Sequence, residues 1–191
     1  GEVSSPTFAI VNVYEGGKMP IYHFDMYRIS GWDGETGWNF LDWHDSLFRG
    51  IPIGSCPVAT LYVLALEAMA RLEKMAGNSG EKYLAMAEQA SKKIVVKYFI
   101  ADKKVFADNT EKNHYSEHPQ IFSVLSDNLP NGNIEIKDAM PAGIYFSHYY
   151  LEAAYKLKNA SAFWERYSQW FTIADTGLRT LPEEFTHPRS D

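Results

Sequence analysis

The sequence predicts a mainly α-helical chain carrying a short N-terminal β-hairpin. Three observations predict it. The first thirty residues alternate and are rich in β-formers. From about Pro57 the apolar residues recur at helical spacing. Turn residues then cut that helical stretch into segments arranged as pairs.

"TFAIVNVY" reads as a strand, "EGGK" as a turn, and "MPIYHFDMYRI" as a second strand with Pro20 at its start. Two strands joined by a Gly-Gly turn make a hairpin. Leu61, Leu64, Ala65, Ala68, Met69, Leu72 and Met75 then mark one helix face, and Gly77 ends the run. Asn78 with Glu81 suggests a capping box for a second helix, which carries Tyr83, Ala87, Ala90, Ile94 and Tyr98. "ADKKVFADNTEKN" reads as a polar loop. Ser116 to about Asn128 forms a shorter helix. "LPNGNIEIKDAMPAG" holds turn residues around a short extended piece. Pro141 suits the first turn of a helix bearing Tyr145, Tyr149, Ala153 and Leu157. A last helix carries Phe163, Tyr167, Trp170 and Ile173 and ends at Gly177. Paired helices suit an αα-hairpin array, and the absence of a fixed-period repeat favours a toroid over a solenoid.

The 191 residues suffice for one domain or two small ones. The net charge of −6 disfavours nucleic acid as a partner, because phosphate binding needs concentrated Lys and Arg. Lone Cys56 excludes an internal disulfide and a multi-cysteine metal site, and suits a small buried hydrophobe. No run approaches the roughly 18 apolar residues of a membrane span. His114 and His118 with Glu117 have helical metal-ligand spacing, but a third ligand is lacking, so no metal is expected.

The stretches "SSPTF" (Ser4 to Phe8) and "IYHFDMYRI" (Ile21 to Ile29) resemble the bacterial ATPase of the threonylcarbamoyl-adenosine tRNA-modification pathway. The resemblance implies Thr7 as a switch-loop hydroxyl and Asp25 as the carboxylate facing magnesium, which favours hard oxygen ligands. A loop ending in Gly-Lys-Thr would supply the phosphate contacts, and this sequence contains none. The plainer reading of Asp25 and Arg28 is a polar strand face.

From about Gly37 the chain resembles a second family, the inverting α-L-rhamnosidases. "GWNFLDWHD", "YVLALEAMARL", "YFSHYYLEAAYK" and "GLRTLPEEFTHPRSD" carry that likeness, with Arg179 departing from it. It implies a partial (α/α)6 toroid and glycoside hydrolysis with inversion. Such hydrolysis needs a carboxylate activating water about 6.5–9.5 Å from a carboxylic acid. By this resemblance Glu183 is the general base, and Trp38, Asp42, Trp43, Arg189 and Asp191 lie at the sugar. The plainer reading of Asp42 and Trp43 is a capping Asp beside a buried Trp.

The resemblances together imply a chimera or truncated fragment: an ATPase-like segment over 1–33 and a rhamnosidase-like helical segment over 34–191. The expected partner is a rhamnose-containing glycan, with no nucleic acid, membrane or cofactor. Exposed helix faces suggest self-association. Because the general-acid segment is absent, the chain alone is expected not to hydrolyse rhamnosides. Alternatives are a non-catalytic carbohydrate-binding helical module and a nucleotide-dependent tRNA-modification fragment.

Overall fold

Residues 11–14, 21–24, 56–175, Gly177 and Pro182 are described by a computed structural model. The chain divides into two units, Gly1–Phe40 and Leu41–Asp191. The first contains strands β1 (Val11–Tyr14) and β2 (Ile21–Phe24). They pair antiparallel, with Val11 opposite Phe24 and Tyr14 opposite Ile21, so the hairpin read from the alternation is present.

The second unit contains five helices among the described residues: α1 (Cys56–Met75), α2 (Glu81–Tyr98), α3 (Glu117–Leu125), α4 (Ser147–Lys156) and α5 (Ala160–Asp175). Between α2 and α3 lie two-residue strands β3 (Phe99–Ile100) and β4 (Val105–Phe106), paired antiparallel. The packing order is α2, α1, α3, α4, α5, each helix against the next. The unit is therefore mainly α-helical. The partial (α/α)6 toroid that the resemblance implied is not shown by the five described helices.

Two apolar clusters hold this row together. Cys56, Val63, Leu66, Ala87, Ile94, Tyr98 and Phe106 pack α1 and α2 over the small hairpin. Ile121, Phe122, Ile134, Phe146, Tyr150, Ala153 and Ala162 join α3, α4 and α5. Phe122 lies edge-on to Phe146 at 5.8 Å between centroids, a favourable arrangement for aromatic rings.

Several elements differ from their sequence reading. The polar stretch after Tyr98 hides the β3–β4 hairpin, whose Phe99 and Phe106 rings sit 4.7 Å apart. The helix expected from Pro141 begins at Ser147. It buries Ser147, Tyr150, Ala153 and Ala154, and leaves Tyr145 exposed. The last helix buries Ala162, Arg166 and Ile173, whereas Tyr167 faces outward.

The capping box also fails. Asn78 donates to Glu73, and the residue preceding α2 is Gly80 at φ 68° with no side-chain cap. Gly80 has a steric reason to be glycine, since a Cβ there would stand 2.5 Å from the Ala70 carbonyl oxygen of α1. Gly77, at φ 86°, would meet nothing within 4 Å. Left-handed backbone costs an L-residue about 1–2 kcal/mol, and a backbone clash adds to that. Gly77→Ala should therefore lose about 1 kcal/mol of stability in urea unfolding, and Gly80→Ala about 2–4 kcal/mol.

Candidate functional site

Three buried polar centres are the chemistry-bearing features of the described helical residues. The first surrounds Asp108, whose side chain is fully buried. One carboxylate oxygen accepts from the Ser116 hydroxyl at 2.8 Å, and the other lies 2.6 Å from His114 Nδ1. Its backbone carbonyl accepts from Cys56 N at the start of α1. One aspartate thereby ties the start of α1 to Ser116, the residue that precedes α3. Gln120 completes the frame: its side-chain amide donates to the Phe106 carbonyl and accepts from the Phe106 amide, as a paired strand would. Burial pushes the Asp108 carboxyl up, and hydrogen bonds from Ser116 and His114 oppose the shift. Burial, with Asp108 nearby, pushes the Cys56 thiol well up, so Cys56 is a poor nucleophile.

The second centre is the ion pair of Glu117 and Arg166. One Arg166 nitrogen bonds the Glu117 carboxylate, and the other donates to the Ala142 carbonyl and the Ser147 hydroxyl. Its guanidinium lies 4.1 Å from the Tyr150 ring centroid, a cation–π contact. The remaining Glu117 oxygen accepts from Ala142 N. Burial, with Glu117 adding to it, pushes the Tyr150 hydroxyl up to about 12.

The third centre is Glu67, buried in α1. Its Oε1 accepts from the Ser126 hydroxyl, the Asn128 side-chain amide, and the backbone amides of Asp127 and Asn128. Its Oε2 is buried without a hydrogen-bond partner. The arrangement anchors the turn that follows α3 to α1.

His114, Glu117 and His118 turn to different partners. His114 precedes α3 and turns to Asp108, whereas His118 is buried beside Phe146, with ring centroids 5.2 Å apart. Glu117 is committed to Arg166. Among the described residues, no three His, Cys, Asp or Glu groups converge as metal ligands. Among them too, no helix is long and apolar enough to cross a membrane.

The residues singled out from sequence lie outside the described ones: Thr7, Asp25, Trp38, Asp42, Trp43, Glu183, Arg189 and Asp191. In sequence, Asp25 directly follows Phe24 and Thr7 stands four places before Val11. Sequence reading missed Asp108, the Glu117–Arg166 pair and Glu67. Arg166 left one signal. It stands in an aromatic-rich helix with Ala162 and Trp170 at the i±4 positions, so no helical neighbour there neutralises it.

Asp108 gives a pH dependence of definite sign. A carboxyl raised in the folded state contributes stability that is full below the ordinary aspartate value near 4 and is lost as pH rises through the raised one. The stability advantage of the native chain over Asp108→Asn should therefore be largest near pH 4 and shrink toward neutrality. Urea unfolding at a series of pH values measures it, and an advantage growing with pH would contradict it.

Comparison with known proteins places a likeness on the N-terminal segment. The profile of the family Threonylcarbamoyl adenosine biosynthesis protein TsaE matches residues 1–54. The tRNA threonylcarbamoyladenosine biosynthesis protein TsaE of Synechocystis sp. (strain ATCC 27184 / PCC 6803 / Kazusa) is 63% identical over 30 residues, which are 16% of this chain and 19% of that protein. No solved structure matches.

These findings correct the functional reading from sequence. The glycoside hydrolase assignment, with its rhamnosidase resemblance and its rhamnose-containing glycan partner, is overturned by likeness to a tRNA-biosynthesis protein. The exclusion of nucleic acid falls with it, because a net charge summed over the whole chain does not outweigh the likeness of one segment to a tRNA-biosynthesis protein. The part of the reading that stands is the likeness of the N-terminal segment to the threonylcarbamoyl-adenosine pathway protein.

Proposed function

We propose that this chain acts in tRNA threonylcarbamoyladenosine biosynthesis through its N-terminal segment, with the helical unit serving as a separate interaction module. The observation that carries the proposal is the match of residues 1–54 to the TsaE family. The 63% identity over 30 residues supports it.

The chemistry proposed for the segment is narrow. The Thr7 hydroxyl and the Asp25 carboxylate are hard oxygen donors suited to magnesium and the nucleotide phosphates it carries. Both lie within the residues 1–54 matched by the TsaE family, which supports assigning them to one segment. The sequence contains no Gly-rich loop ending in Gly-Lys-Ser/Thr, so backbone cradling of phosphates is not assigned to these residues.

The junction between the two parts is proposed to fall between residue 33 and Cys56. The contact division at Phe40 and the start of α1 at Cys56, both within that interval, support it. For the helical part, the finer arrangement proposed is an array of helical hairpins of the toroid kind. The serial packing of α2, α1, α3, α4 and α5 supports it.

The test is the threonylcarbamoyladenosine content of tRNA in cells depleted of their own TsaE and expressing this chain. The content should rise above the depleted baseline. Thr7→Ala or Asp25→Asn should remove most of the rise, a loss of at least about threefold for a ligand within reach of the phosphates. No rise, or a rise indifferent to both substitutions, would contradict the proposal.

A further inference from the structure

Helix α5 presents two stripes, and among the described residues one is buried and the other is exposed. Ala162, Arg166 and Ile173 face the rest of the unit. On another side stand Trp164, Tyr167, Phe171 and Ala174, spaced three, four and three residues apart. Trp164 is 62% exposed, Phe171 61% and Tyr167 37%. The spacing of three and four is the seam that a second helix packs against.

The rings along this seam are already ordered against one another. Trp164 and Tyr167 lie edge-to-face at 5.7 Å, as do Tyr167 and Phe171 at 5.6 Å. Phe163 stacks on Tyr167 at 6.2 Å and also lines a shallow groove with Leu125 and Leu151. A partner would therefore meet a preformed surface with little side-chain ordering left to pay for.

Charge decides what fits there. The exposed charged residues of α5 are Glu165 and Asp175, while its one cation, Arg166, is buried against Glu117. The last turn carries Asp175 and no basic residue, so the helix dipole deepens the negative potential at that end. Glu152 adds a carboxylate to the wall of the groove. The nearby Lys156 is turned to the Leu125 and Ser126 carbonyls and to Asp127. Exposed Lys158, in the turn before α5, stands at the opposite end of the seam from Asp175.

A second copy of the chain fits poorly. It would bring Glu165 and Asp175 against an equally acidic helix on a chain of net charge −6. Fully covered aromatic side chains bury about 150–250 Å² each, so the three exposed rings offer roughly 350 Å². A stable dimer buries about 800 Å² per partner. A single helix needs less surface and can carry the opposite charge.

We propose that the outer face of α5 docks a basic amphipathic helix of a partner protein, with apolar residues set between Trp164 and Phe171 and Lys or Arg beside Glu165 and Asp175. The inference stands apart from the role assigned to residues 1–54.

The test titrates the full chain calorimetrically with a synthetic helical peptide bearing Leu at three–four spacing and Lys and Arg on its flanks. A twin peptide with Glu at the flanking positions serves as comparison, and sedimentation gives the oligomeric state. The basic peptide should bind one to one, at least tenfold tighter than its twin, and more weakly as salt rises. Trp164→Ala with Phe171→Ala should weaken binding at least tenfold, whereas Val96→Ala on the exposed side of α2 should leave it unchanged. Glu165→Gln with Asp175→Asn, which spares the aromatic seam, should narrow the difference between the two peptides. Equal affinity for both peptides, no binding of the basic one, or a dimer dispersed by the Trp164 and Phe171 substitutions would overturn the proposal.

Discussion

The Glu117–Arg166 pair is the interaction on which the second half of the helical unit depends. Glu117 opens α3, Arg166 lies in the middle of α5, and together they grip Ala142 and Ser147 between them. Two buried charges carry a large desolvation cost, and only a complete set of partners offsets it. Here the carboxylate receives a guanidinium and a backbone amide, and the guanidinium finds a carboxylate, a carbonyl, a hydroxyl and the Tyr150 ring. The packing of α5 follows from this. Arg166 must face inward, so Ala162 and Ile173 turn inward with it and the large rings of Trp164 and Phe171 are left outside.

That constraint explains which features the sequence displayed. Both helices were legible from spacing, with Gly77 marking the end of the first. In α2 burial follows the face read, at Ala87, Ile94 and Tyr98. In α1 the face read is not the buried one, which carries Val63, Leu66, Glu67 and Ala70, while Ala65, Leu72 and Met75 are exposed. In α5 the aromatic residues outnumber the buried positions, and hydrophobicity alone chooses the wrong stripe. An arginine in such a helix reads as surface until its partner, 49 residues earlier in the chain, is known. The Asn78–Glu81 box failed because the close approach to Ala70 needs Gly80, and that glycine sets the helix start. The β3–β4 hairpin was hidden by the charged residues at its tip, which satisfy turn geometry rather than a strand pattern.

The functional signals divide along the same line. "HFDMYRI" mixes charged, aromatic and apolar residues in an order that burial alone does not impose, and the likeness it carried agrees with the family matched over residues 1–54. The stretches that suggested a rhamnosidase include two helices rich in Ala, Leu and Tyr. Packing demands such composition of many helical proteins, so short likenesses there report helix burial more than chemistry. The described helical unit keeps its charged groups for structure: Asp108 joins α1 to α3, Glu67 anchors the turn after α3, and Arg166 locks α5. The outer face of α5, by contrast, leaves Trp164 and Phe171 exposed.

The most direct measurement of this account is a double-mutant cycle on the ion pair, read by urea unfolding of the full chain. Removing one member leaves the other buried and uncompensated, so Arg166→Met alone should cost about 3–5 kcal/mol. Adding Glu117→Gln removes the stranded charge and should recover a large part of that loss, giving a coupling energy of about 2 kcal/mol or more. If Arg166→Met costs less than about 1 kcal/mol, in the range of a surface ion pair, the pair does not organise α3, α4 and α5, and the account of the helical unit is wrong.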